Sequence, residues 1–90
     1  MSVRINISPI LRQFTDDQAI AIVNGDTVGQ CLDDLIKQFP PVRQWLFLKK
    51  GQLHNEVDIY VNRESSYPEG LAKPVKDGDE LHIAVMIAGG

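Results

Sequence analysis

Few residues in this chain could do chemistry, and they stand far apart. There is one cysteine, Cys31, and there are two histidines, His54 and His82. Neither histidine has an acid or a thiol at a spacing that suggests a nucleophile and its base, so both read as solvated surface residues. A metal site needs several ligands, and the sequence holds no His/Cys cluster. Asp33–Asp34 and Asp77–Asp79 are paired carboxylates. They read as a solvated helix face and a turn. Cys31 falls in register with apolar neighbours at helical spacing. It is expected to pack as a small hydrophobe rather than to act as a redox or acyl-transfer thiol. What remains is the end of the sequence, "HIAVMIAGG".

A terminal carboxyl has a pKa of about 3.3–3.7 and is a carboxylate at neutral pH. A carboxylate is a poor electrophile, so any acyl chemistry at Gly90 requires activation first. Gly89 and Gly90 suit an end that must thread into another protein's active site. A Cβ at either position would widen the tail and narrow its backbone freedom. Two glycines ending a chain by chance is roughly a one-in-two-hundred event at average glycine usage. The tail, residues 88–90, is therefore the candidate reactive element.

The elements that would hold such a tail follow from the hydrophobic pattern. "VRINI" (Val3 to Ile7) alternates and reads as a half-buried strand. "AIAIV" (Ala19 to Val23) is β-branched and compact, a second strand that pairs with the first across a loop holding Pro9 and Phe14. "NGD" at residues 24–26 breaks the chain. The clearest helix follows: Thr27 caps it, Gln30 completes a capping-box pattern, and Pro40–Pro41 stop it. Val28, Cys31, Leu32, Leu35, Ile36 and Phe39 share one face of it. "EVDIYVN" (Glu56 to Asn62) is a third strand, "NRES" a turn, and "ELHIAVMI" the last strand. Between helix and third strand the pattern is ambiguous; "KKG" suggests a turn between short strands, and Trp45 and Phe47 read as core or rim. Residues 66–80, with two prolines and two glycines, read as loop.

Ninety residues make one small domain spanning 1–90. One helix lying across one mixed sheet of four to five strands, an α+β arrangement, buries the single apolar face of each. The first and last strands could lie side by side in the middle, with the tail projecting from the sheet edge. A net charge of −3 with mixed signs argues against a nucleic-acid partner. A lone cysteine gives no disulfide scaffold, and no signal peptide or membrane span is apparent, so a cytoplasmic protein is expected.

This order with its Gly-Gly end resembles the β-grasp, ubiquitin-like sulfur carriers of the MoaD/ThiS family. The resemblance rests on "VRINI", "GDTVGQCLDDLIKQFP", "VDIYVNRE" and above all "PVKDGDELHIAVMIAGG", and it covers nearly the whole chain. "AVMIAGG" lacks the proline or aromatic residue that many members carry before the glycines, and "VNRE" stands where Asn-Gly is usual. After Trp45 the chain looks more like MoaD-like carriers feeding cysteine-type biosynthesis. One cysteine excludes a β-grasp ferredoxin, which needs four.

The resemblance implies a carrier rather than an enzyme, with no bound cofactor. A MoeB/ThiF-like adenylating enzyme would use ATP to make an acyl-adenylate at Gly90. A sulfur source would then leave a thiocarboxylate, and a sulfur-acceptor synthase subunit would receive the sulfur. Molybdopterin, thiamine and cysteine-type pathways all remain open. The alternative is a ubiquitin-like modifier that joins Gly90 to lysines. Ala84 and Met86 lie opposite the core face of the last strand. With Ile87 and Ala88 they form a candidate docking patch for these partners, unless loop residues cover them.

Overall fold

The computed structural model describes residues 2–48, 51–54 and 56–85. Strand β1 (Ser2–Asn6) and strand β2 (Ile20–Asn24) form an antiparallel pair. The loop between them winds into a 3-10 helix over Pro9–Phe14. Helix α1 (Val28–Gln38) follows, then a 3-10 turn at Pro40–Val42 and the single-turn helix α2 (Arg43–Leu46). Strands β3 (Val57–Val61) and β4 (Glu64–Ser65) make a tight hairpin, and β5 (Glu80–Val85) is last. Sheet order is β2-β1-β5-β3-β4, so the first and last strands do lie side by side at the centre, running parallel.

The expected strand "VRINI" begins one residue earlier than its alternation suggests, at Ser2. Its pairing still reaches Ile7, whose N–H donates to the Ala19 carbonyl at 2.8 Å. Val3, Ile5 and Ile7 are buried, as are Ala21 and Val23 of β2, Ile59 of β3 and Leu81 and Ile83 of β5. Helix α1 closes this face with Val28, Cys31, Leu32 and Leu35. Ile36 and Phe39 reach the rim only: both are half-buried.

The helix begins as its sequence predicts. Thr27 Oγ1 accepts from the Gln30 N–H at 3.2 Å. Gln30 Oε1 reaches back to the N–H of Asp26 at 2.7 Å, one residue before the cap. Gly25 makes the turn into the helix possible, because a Cβ there would sit 2.8 Å from the Cys31 nitrogen. At its other end α1 guards the open edge of β2: Gln38 Nε2 donates to the Ile22 carbonyl and the Asn24 N–H donates to Asp34 Oδ2, both at 2.9 Å. Covered edge groups cannot template pairing with another strand.

The ambiguous segment opens with a helical turn, α2, which places Leu46 in the core. Among the described residues its strand character is a bridge between Phe47 and Leu53. Trp45 is a rim residue, stacked on Phe14 with ring centroids 5.2 Å apart. Among the described residues no helix is long and apolar enough to cross a membrane.

Candidate functional site

The site is built on the path of β5. The strand begins beside a turn that nearly every neighbouring element grips. Asp79 Oδ1 accepts from Asn62 Nδ2 at 3.0 Å, and its Oδ2 accepts from the Lys76 N–H at 2.8 Å. These bonds, the one from Asn62 first, hold the Asp79 carboxyl below its ordinary range. Asn62 Oδ1 accepts in turn from the Glu80 N–H at 3.0 Å. On the other side the Ser2 N–H donates to Asp77 Oδ1 at 2.7 Å, and the Arg4 N–H donates to the Asp79 carbonyl at 3.0 Å. The carboxylate pair expected to be a turn is a turn, and it fixes where β5 starts.

From there β5 runs between β1 and β3 to Val85, which lies opposite Val57. The Ser8 hydroxyl donates to the Ile83 carbonyl near that end. Met86, Ile87, Ala88, Gly89 and Gly90, expected to form the docking patch and the reactive end, lie outside the described residues. Of the expected patch only Ala84 is placed. It is half-buried on the sheet face opposite α1, across from Asp58.

That outer face is more polar near β5 than the sequence suggested. His82 lies in register with Asn6 on one side and Tyr60 on the other. It is not simply a solvated histidine: its Nδ1 is buried and finds no hydrogen-bond partner among the described residues. Its Nε2 is 3.9 Å from the Glu80 carboxylate, which also lies 3.8 Å from Arg4. The apolar part of the face is on β2, where Ile20 and Ile22 are 46% and 55% exposed. Sequence reasoning missed them. In "AIAIV" both faces are apolar, so alternation cannot tell which isoleucines face out; the register with β1, which sets Ile22 opposite Arg4 and Ile20 opposite Asn6, does.

The other candidates fall away. Cys31 is fully buried, and burial, with Asp34 nearby, pushes its thiol up to about 11. It is a protonated core residue. His54 Nε2 lies 3.1 Å from the Gln44 carbonyl and serves to hold its loop. Among the described residues no group of His, Cys, Asp and Glu side chains could hold a metal ion. What the arrangement offers is a central strand, held at its start by the Lys76–Asp79 turn, that runs between β1 and β3 to Val85.

Comparison with known proteins agrees with this geometry. The ThiS family model matches residues 5–90. Sulfur carrier protein CysO of Mycobacterium tuberculosis is 37% identical over 93 residues, taking in 100% of both chains. The crystal structure of the Amycolatopsis orientalis BexX/CysO complex superposes with a TM-score of 0.89 at 34% identity, covering 98% of this chain and 99% of that one. Small archaeal modifier protein 1 of Haloferax volcanii is 32% identical over 69 residues, 76% of each chain. Its crystal structure gives a TM-score of 0.87 at 25% identity over 100% of both chains. The fold, the topology and the match over nearly its whole length place the chain in the ThiS family, the ubiquitin-like β-grasp sulfur carriers that its sequence resembles.

Proposed function

We propose that the chain carries sulfur as a thiocarboxylate on Gly90. The observation that supports this most is a β-grasp chain whose central strand leads into Ala-Gly-Gly, aligned end to end with a sulfur carrier. A MoeB/ThiF-like partner activates the Gly90 carboxylate with ATP: a carboxylate oxygen attacks the α-phosphorus, pyrophosphate leaves, and an acyl-adenylate forms. Sulfide (HS−) from a sulfur donor then attacks the acyl carbon, AMP leaves with the C–O bonding pair, and the sulfur gives up its proton to leave the thiocarboxylate. The product is nucleophilic at sulfur, as a thiolate is. Gly89 keeps the end narrow enough to enter the partner's active site, and Ala84, Met86, Ile87 and Ala88 dock beside it. The chain itself needs no resident cofactor, and the ATP belongs to its partner. The pathway is cytoplasmic, of the cysteine type, with a synthase subunit as acceptor.

A second reading has a specific observation behind it. The similarity to small archaeal modifier protein 1 spans 76% of the chain. In that reading the same adenylate ends as an isopeptide bond to lysine. The test is ATP–pyrophosphate exchange by the activating enzyme of the same organism. Exchange is expected with the wild-type chain and lost with Gly90 deleted. Lysine-linked adducts in cell extract, with no thiocarboxylate formed, would favour the modifier.

A further inference from the structure

The nine Lys and Arg residues are unevenly spread. Four of them, Lys37, Arg43, Lys49 and Lys50, fall in the stretch from Leu35 to Asn55, which contains no Asp or Glu at all. The remaining residues carry 5 cations and 12 carboxylates, so this segment is a basic island in an acidic chain. The structure shapes part of it into an open groove of about 560 Å³, walled by Pro40, Pro41, Arg43 and His54 over Phe47 and Leu48. A smaller groove of about 360 Å³ adjoins it, sharing Arg43 and Phe47 and adding Lys37, Ile36 and Asp33. Leu48 is 41% exposed, and neither Arg43 nor Lys37 makes an ion pair among the described residues.

The groove lies at the end of the molecule where β5 finishes. His54 gives its carbonyl to the Val57 N–H at 3.0 Å, and Val57 is the strand partner of Val85. The fold therefore sets an apolar floor with Arg43 and Lys37, neither ion-paired among the described residues, and Asp33 at its edge, on the side of the sheet end where Val57 meets Val85.

We propose that this groove is a docking site for an acidic segment of the enzyme that adenylates the tail. An aliphatic or aromatic side chain of that segment would rest on Phe47 and Leu48 while its carboxylates meet Arg43 and Lys37. The inference rests on the function proposed above and adds to it a recognition element outside the tail. Complementary charge of this kind governs encounter more than chemistry. It should act on KM and leave kcat alone.

The test uses the full chain and the activating enzyme of the same organism, with ATP–pyrophosphate exchange measured against carrier concentration. Arg43→Glu combined with Lys37→Glu is expected to raise KM about tenfold or more with kcat unchanged. Added salt should raise the wild-type KM and leave that of the variant nearly flat. Arg43→Gln with Lys37→Gln should give a smaller rise, and Lys76→Glu, at the opposite end of β5, none. All of these positions are at the surface or at its rim, and an unchanged melting temperature confirms folding. A wild-type chain that is adenylated normally, with a KM indifferent to Arg43 and Lys37, overturns the groove alone. A wild-type chain that is not adenylated at all overturns the carrier reading and the groove with it.

Discussion

At the end where β5 begins, three separate segments hold it: the Lys76–Asp79 turn, the start of β1, and Asn62 of the β3–β4 turn, joined through Asp77, Asp79 and Glu80. At the end where β5 finishes, the described contacts thin to the pairing of Val57 with Val85 and the hydroxyl of Ser8 on the Ile83 carbonyl. One end is locked by charge-assisted hydrogen bonds to a carboxylate. The other is bordered by an open groove and leads into a glycine tail. The difference shows how a small carrier protein can be useful without a catalytic constellation among its described residues. Precision is invested where the strand starts, and that start sets the path of β5 as far as Val85.

The contrast predicts that substitutions at the two ends fail in different ways. The largest effect belongs to Gly90→Ala: adenylation by the activating enzyme should be lost, with no change in melting temperature. Normal adenylation of this variant would remove the role given to the narrow tail. Next comes Leu35→Ala beneath the sheet. It should cost about 2–5 kcal/mol in denaturant unfolding, since the residue is fully buried and its loss leaves a cavity. Adenylation per folded molecule should be unchanged.

Asp79→Ala tests the locked end. A stability loss of about 1 kcal/mol is expected, less than a buried charge-assisted bond gives, because water screens a carboxylate so little buried. The folded-state pKa of Asp79 is depressed from 3.8. Its contribution is therefore fully present above that pH and is lost as pH falls through the folded value. The gap in stability between wild type and variant should narrow on acidification below pH 3.8. A gap that is constant with pH would show that the carboxylate is not what holds the turn. The smallest effect is a gain. Asn62 and Arg63 both have positive φ, 50° and 74°, in the tight β3–β4 turn. Arg63→Gly should stabilise by about 0.5–1 kcal/mol by relieving the left-handed backbone of Arg63.

Much of this architecture was legible in the sequence because single segments encoded it. The alternation of "VRINI", the cap at Thr27 and the stop at Pro40–Pro41 act within one turn or one strand. The order of these elements came from the same patterning, and with the Gly-Gly end it carried the resemblance. Less was legible where the outcome depends on what lies across the sheet. The exposed isoleucines of β2 and the buried Nδ1 of His82, without a partner among the described residues, follow from strand pairing rather than local pattern. The segment from Val42 to Leu53 mixes helix and bridge because its form is set by what it covers: Leu46 fills the core, while Trp45 leans on Phe14 across the rim. The basic island was present as a plain absence of acids, but only folding turns it into a groove beside the tail root. The tail itself reads from chemistry alone, since glycine and a carboxylate need no tertiary contact to be recognised.

The central claim is that Gly90 carries sulfur. The most direct test is the intact mass of the chain after incubation with its activating enzyme, ATP and a sulfur donor. A mass change equal to one oxygen replaced by sulfur, absent when Gly90 is deleted, is the predicted result. An unchanged mass, with the enzyme shown to be active, would contradict the account.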